Sequence, residues 1–251
     1  RDLPQGIDQR SPARHPDWLG PDDLAVNIEQ LREATDWRIP VHVKLGACRV
    51  GDDVKLAAKA GADAIVIDSM VAGTGASAEG LIEHSGIPTV PAIVMAREAL
   101  RELGLYGKVT LIASGGIRNG ADAAKALALG ADAVAIGTAG LIALNCNKEI
   151  PESDFESEVG VPAGFCHHCH TGKCPVGIAT QNPELTKRLD PDEAAERVAN
   201  FLNSMTMEMA LLTRSLGKSD VHSLEPEDLA ALTIEASAMA RVPLVGTNKV
   251  Y

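Results

Sequence analysis

Aromatic residues are scarce in this chain: Phe, Tyr and Trp make up 3% of its 251 residues, whereas hydrophobic residues reach 45%. A core of that size has to be filled by Ala, Val, Ile and Leu, as in a parallel sheet covered by helices, and the length admits one large α/β domain or two small ones. Positive charge is also short, with 23 Lys and Arg against 34 Asp and Glu; the formal net charge of −11 argues against a nucleic-acid backbone or an anionic membrane as partner. No apolar run approaches the roughly 20 residues that cross a bilayer. No signal peptide is visible, so a cytoplasmic setting is expected. Cysteines number five, and the cluster between positions 146 and 174 favours metal or catalytic use over a disulfide framework. Residue 1 is Arg, so either the start is processed or more chain lies upstream.

What is present is a repeat. An irregular, Pro- and Arg-rich entry over residues 1–20 gives way to a helix opening at Pro21, in which Leu24, Ile28 and Leu31 recur at helical spacing. Strands are then expected at 42–45, 64–67, 89–94, 109–113 and 133–136, with helices at 52–60, 77–84, 95–103, 120–129 and 138–144. The sequence Ala60-Gly61-Ala62-Asp63-Ala64 recurs almost unchanged as Leu129-Gly130-Ala131-Asp132-Ala133, each time just before a strand. Such a βα repeat means either a (β/α)8 barrel or a doubly wound sheet. The last two strands break into glycines, Ser114-Gly115-Gly116-Ile117-Arg118 and Gly137-Thr138, as barrel phosphate sites do on strands seven and eight. The five units therefore read as strands four to eight of a (β/α)8 barrel, followed by a cysteine-rich segment and a helical tail. The expected division is an entry segment and helix at 1–40, barrel at 41–145, cluster segment at 146–190 and tail at 191–251. In the tail, helices are expected over 191–215 and 225–239. Val198, Phe201, Leu202, Met205, Met209 and Leu212 form a stripe read as core that covers the barrel or the cluster.

The candidate site residues each have a plain alternative. Gly73-Thr74-Gly75-Ala76-Ser77-Ala78 fits a dinucleotide pattern but stands five residues past its strand, so it reads better as a loop over a flat ligand. Lys44 ends an apolar strand and reads as a ligand contact, the alternative being an ion pair with Asp68 or another rim carboxylate. Cys48 reads as a small buried apolar side chain. Cys166-x-x-Cys169-His170 satisfies a haem attachment pattern; Cys166, Cys169, His170 and Cys174 could close a zinc tetrahedron; Cys166, Cys169 and Cys174-Pro175 could hold an iron–sulfur cluster. Haem attachment needs an export route, and a zinc clip leaves the neighbouring phosphate site unexplained. A non-redox phosphate-binding barrel with such a clip is the rival of another class.

Lys44 in Val43-Lys44-Leu45, the GTGAS sequence at Gly73–Ser77, SGGIRNG at 114–120, GTAGLIAL at 137–144 and CHTGKCPVGIATQNPEL at 169–185 together resemble the synthase domain of glutamate synthases. The resemblance extends from about Leu3 to about residue 220, and the cysteine segment is its most specific part. It implies a (β/α)8 barrel with FMN and a [3Fe-4S] cluster, in which reduced flavin delivers hydride to the imine of 2-oxoglutarate and ammonia. It also implies that Lys44 contacts flavin and substrate carboxylate. Gly73, Thr74, Gly75, Ala76 and Ser77 would line the pocket, and Ser114, Gly115, Gly116, Arg118, Gly137 and Thr138 would surround the FMN phosphate. The family usually has Asp-Gly-Gly where Ser114-Gly115-Gly116 stands. Its first cluster cysteine corresponds to Cys146, and an insertion of about twenty residues brings in Cys166 beside Cys169 and Cys174, so that [4Fe-4S] stands beside [3Fe-4S] as the cluster type. The insertion is similar to that of the short glutamate-synthase-like subunits, including the large subunit of N-methylglutamate synthase. With no amidotransferase segment visible, separate amidotransferase or electron-donor subunits are expected, in a hetero- or homo-oligomer, acting on a 2-oxo acid or amino acid.

Overall fold

The computed structural model describes residues 15, 17–73, 77–146, 166 and 168–251. The described residues form two compact units: one lies within 73–83 and 137–204, the other within 15–72, 84–136 and 205–251.

The larger unit is built on four parallel strands, β1 (His42–Gly46), β2 (Ala64–Asp68), β3 (Thr110–Ser114) and β4 (Ala133–Ala135), hydrogen-bonded in sequence order. Helices α1 (Pro21–Ala34), α2 (Val50–Lys59), α4 (Thr89–Glu102) and α5 (Gly120–Ala128) alternate with them; α3 (Glu79–His84) precedes α4. Because every crossover between parallel neighbours is right-handed, an unbroken strand order puts the connecting helices on one face. A doubly wound sheet needs a reversal of order, so this sheet is singly wound, as in a sector of a (β/α)8 barrel. Register sets Val43 beside Ile65 and Leu111, all buried on the helix-covered side, and Lys44 beside Val66 and Ile112 on the other, where Lys44 is exposed.

The repeated Ala-Gly-Ala-Asp sequence has a structural meaning. Gly61 (φ 100°) and Gly130 (φ 115°) turn the chain out of α2 and α5 in a conformation that favours glycine. Two residues later the carboxylate reaches back to the start of the preceding strand: Asp63 Oδ2 accepts the Val41 N–H at 2.7 Å, and Asp132 Oδ2 the Leu111 N–H at 2.7 Å. Each βα unit is thus fastened to its predecessor. A side chain at Gly130 would meet Arg97 Cδ at 2.5 Å; Arg97, itself buried, donates to the Leu129 carbonyl at 2.8 Å.

Three expectations about this unit are corrected. Residues 89–94 form no strand; they open α4, with Pro88 as its N-cap and Pro91 in the first turn, where a missing N–H costs nothing. Ala92, Ile93, Val94, Ala96, Arg97, Ala99 and Leu100 are its buried positions, a wide buried face with Ala92, Ala96, Ala99 and Leu100 at helical spacing that the β-branched Thr-Val…Ile-Val sequence conceals. The unit therefore has four strands in place of five. Leu31 is exposed, although Leu24 and Ile28 of the same helix are buried. Cys48 is exposed in the turn after β1.

In the smaller unit α6 (Thr138–Ala143) follows β4, and the cysteine segment leads into a short helix α7 (Pro183–Thr186) capped by the Asn182 side chain. Helix α8 (Pro191–Ser215) starts at Asp190, whose Oδ1 accepts the N–H groups of Asp192 and Glu193. From Met205 onward α8 belongs to the larger unit and crosses α5 closely. The Gly120 N–H donates to Glu208 Oε2 at 2.7 Å, and a Cβ on Gly120 would strike the Met205 carbonyl. Met209 and Leu212 pack on Ala124, Ala128 and Leu224, so this half of the tail covers a barrel helix as expected, whereas Leu202 is exposed. The helix expected over 225–239 is instead a 3-10 turn at Pro226–Asp228 and a helix α9 (Ile234–Ala240) capped by Thr233. Asp228 accepts both the Glu225 N–H and Lys218 Nζ, which holds that turn out of a helix.

Candidate functional site

Parallel α/β units gather their functional groups at the carboxyl ends of the strands. In the larger unit those ends hold Asp68, Ser114, Gly115 and Gly116, with Lys44 two residues short of the end of β1. Lys44 Nζ lies 3.3 Å from Asp68 Oδ1, so the ion pair weighed from the sequence is present, with the Lys44 side chain still 58% exposed. The same oxygen accepts the Ser114 hydroxyl at 2.5 Å. Asp68 and Ser114 are register partners on β2 and β3. Behind them the buried Ser69 hydroxyl meets Thr89 Oγ1 at 2.7 Å, and Thr89 donates to the Gly115 carbonyl at 2.9 Å.

The two glycines after β3 are required first by the chain itself. Gly115 (φ 111°) would bring a Cβ onto Ser69 Oγ and to 3.0 Å from Ala72 Cβ; Gly116 (φ 73°) would bring one to 3.1 Å from Val71 Cγ2. The turn they make leaves the successive N–H groups of Gly115, Gly116 and Ile117 without a hydrogen-bond acceptor among the described residues. Such a row of unspent amides is a ready donor set for a phosphate. Arg118 is turned to its own helix, its Nε 3.2 Å from Asp122 Oδ2. Asn119 Oδ1 caps α5 by accepting the Asp122 N–H. The donor set thus fits an FMN phosphate through backbone amides.

The other candidates belong to the smaller unit. Gly137 is the N-cap of α6, with Thr138 as first helical residue, and among the described residues nothing lies within 4 Å of where a Gly137 Cβ would be. Gly73 is equally open, and Ser77 is half-buried. Thr74, Gly75 and Ala76 lie outside the described residues.

All four clustered cysteines are in this unit. Cys146 follows a left-handed turn at Asn145 (φ 74°) and donates its N–H to the Leu141 carbonyl. The CHTGKCPVG sequence is a run of tight turns. The Thr171 N–H and hydroxyl both reach the His168 carbonyl, Thr171 Oγ1 accepts the Lys173 N–H at 3.1 Å, and Thr180 donates to the Gly172 carbonyl at 2.5 Å. Arg188 Nη1 fixes the Pro175 carbonyl at 2.9 Å, and Gly177 passes so close to Leu185 that a Cβ would strike its carbonyl. Cys174 is buried, Cys146 half-buried, Cys166 and Cys169 exposed. Burial pushes the Cys146 thiol up, and so do Cys169, Cys174 and Cys166; burial likewise raises Cys169, followed by Cys166 and Cys174. The four sulfurs therefore stand within reach of one another's charge, although no three His, Cys, Asp or Glu among the described residues close to metal-ligand geometry. Ionising one thiol opposes ionising the next, a repulsion that a cationic metal centre would relieve, and thiolates are the donor type an iron–sulfur cluster takes.

These features define a singly wound parallel α/β protein with an anion-ready strand rim and a four-thiol turn segment. The model for the conserved region in glutamate synthase matches residues 1–219, and the chain belongs to the glutamate synthase family. A glutamate synthase large subunit-like protein of Rhizobium meliloti is 55% identical over 248 residues, 99% of this chain and 56% of that protein. An archaeal glutamate synthase [NADPH] of Methanocaldococcus jannaschii is 44% identical, over 89% of this chain and 41% of that protein. The glutamate synthase [NADPH] large chain of Bacillus subtilis is 34% identical, over 86% and 14%. The chain thus spans about half the length of the first two relatives. No helix among the described residues is long and apolar enough to cross a membrane.

Asp68 was visible in the sequence only as a possible counter-ion. Its signal was position: the first polar side chain after four aliphatic residues of a strand, at the end where barrel sites form.

Proposed function

We propose that this chain serves a glutamate synthase-type oxidoreductase that reduces the imine of 2-oxoglutarate and ammonia, with FMN and an iron–sulfur cluster as cofactors. The observation that carries the reading is the set of three amides at Gly115–Ile117 that have no acceptor among the described residues, on the strand rim that also holds the Lys44–Asp68 pair, in a family member with four thiols in one segment. When bound, FMN supplies hydride and the cluster passes single electrons. The chain's own residues do the rest. The amides of Gly115, Gly116 and Ile117, with Gly137 and Thr138, would hold the phosphate. Gly73 to Ser77 would line the pocket, and Lys44 would fix a substrate carboxylate while adding positive charge where negative charge develops. Cys146, Cys166, Cys169 and Cys174 would carry the cluster, of the [3Fe-4S] or [4Fe-4S] type. Two of the relatives carry NADPH in their names, and ammonia and electrons would reach this chain from separate amidotransferase and electron-donor subunits.

The visible spectrum and metal content of the purified protein test the reading. Flavin bands with a broad iron–sulfur absorption, and turnover of 2-oxoglutarate with ammonia, are the expected result. A colourless protein with stoichiometric zinc would overturn it in favour of a non-redox barrel with a zinc clip. Turnover only with glutamate and methylamine would move the substrate class to N-methylglutamate synthesis.

A further inference from the structure

We propose that Asp68 is the positioning residue for Lys44, in a Ser114–Asp68–Lys44 arrangement across three neighbouring strands. The inference rests on the function proposed above, in which Lys44 serves the substrate site. Its starting point is register: Gly46, Asp68 and Ser114 occupy the same level at the ends of β1, β2 and β3, and Lys44 stands two residues back, on the same side of its strand as Gly46. A lysine there reaches the strand ends only by extending its stem along the sheet, and the ammonium is found at 3.3 Å from Asp68 Oδ1.

Asp68 is itself held. The Ser114 hydroxyl, on a residue only 7% exposed, donates to Oδ1 at 2.5 Å, so the oxygen that meets Lys44 is fixed from the opposite strand by a group with little freedom. The Lys44 side chain is 58% exposed, which means that packing does not choose its rotamer. The carboxylate does. A flexible ammonium gains catalytic value when it is held within a fraction of an ångström of where the ligand's charge will be, and here the sheet supplies that precision through Asp68. The hydroxyl has a second effect: it shares Oδ1, so the ammonium is not fully neutralised by its partner and retains charge for an incoming carboxylate.

A double-mutant cycle on the flavin-loaded enzyme tests this. Lys44→Ala is expected to lower kcat/KM for the 2-oxo acid by about tenfold or more. Asp68→Asn, nearly isosteric, is expected to raise KM by about fivefold with flavin content and melting temperature unchanged, and to add no further loss in the Lys44→Ala background. Should Asp68→Asn fail to fold, the exchange of Asp68→Ser with Ser114→Asp keeps one carboxylate and one hydroxyl at the two registered positions, and is expected to regain activity that Asp68→Ser alone loses. Additive losses, or an Asp68→Asn enzyme with wild-type KM beside an impaired Lys44→Ala enzyme, overturn the positioning role and leave the functional reading intact. An unaltered protein that carries no flavin, or a Lys44→Ala enzyme of full activity, overturns both.

Discussion

Glycine is where the residue scale decides most, because glycines alike in sequence answer to different causes. Gly115 and Gly116 have positive φ and crowd Ser69, Ala72 and Val71, so they would be needed whether or not a phosphate binds. Gly137 has neither constraint: its φ is −118° and a Cβ would project into open space. Gly115→Ala should therefore cost about 1–3 kcal/mol of stability in urea denaturation, whatever its effect on cofactor. Gly137→Ala should leave stability within about 0.5 kcal/mol, yet weaken FMN at least tenfold, or about 1.4 kcal/mol, if the phosphate approaches there. Fluorescence titration of the flavin-stripped protein reads the second quantity, and an unchanged affinity would place the phosphate elsewhere. Loss of flavin from Gly116→Val would be a weaker test, since Val71 is crowded before any ligand arrives. In sequence the Gly115-Gly116 pair and Gly137 looked alike as strand-ending glycines; only the backbone separates the pair that shapes the chain from the single glycine left open.

At the scale of elements, the Asp63 and Asp132 fastenings show what a repeat in sequence stands for. Asp63 carries more than its twin, because Arg32 Nη2 lies 3.0 Å from the oxygen that also accepts the Val41 N–H. Burial pushes the Asp63 carboxyl up, but the Val41 N–H and Arg32 outweigh it and hold the group below its usual range. A carboxyl depressed in the folded state stabilises above its unfolded pKa and loses that contribution as pH falls through the folded value. Denaturation midpoints should therefore drop between about pH 5 and pH 2, and Asp63→Asn should flatten that acid limb relative to the parent. An equal slope in both proteins would assign the acid sensitivity to other groups. The repeat, the four strands and their helices were all legible from apolar runs and glycine punctuation. The Thr89–Val94 sequence was not, because β-branched residues imitate a strand and Pro91 tells only in retrospect that the segment is a first helical turn. The 225–239 stretch failed for a related reason: its apolar spacing suits a helix, but Asp228 is engaged by Lys218 and its backbone by a turn.

For the whole molecule the contrast lies in how the two units are held. The larger has a continuous apolar core, with Ile65, Ile67, Leu111, Ile93 and Leu100 at or near zero exposure. Among the described residues of the smaller, the buried apolar side chains are Cys174, Pro175, Val176, Leu185 and Ala194, a thin core that includes one of the thiols. Turns and backbone contacts at Pro175 and Gly177 order the segment, but little hydrophobic area secures it. The flanking sequence already pointed to Cys146 as a partner of Cys166, Cys169 and Cys174; what it did not carry is the run of turns that orders residues 168–177. A metal bound by such a segment contributes its binding free energy to local stability. Stripping iron under anaerobic chelation should therefore raise amide exchange over residues 168–190 by about tenfold or more, as monitored by mass spectrometry. Amides of β2 and β3 should keep their protection, because their hydrogen bonds lie in a core that owes nothing to the thiols. Equal loosening of both units on iron removal would show that the cluster holds the molecule as a whole, and no change in 168–190 would show that these turns stand without it.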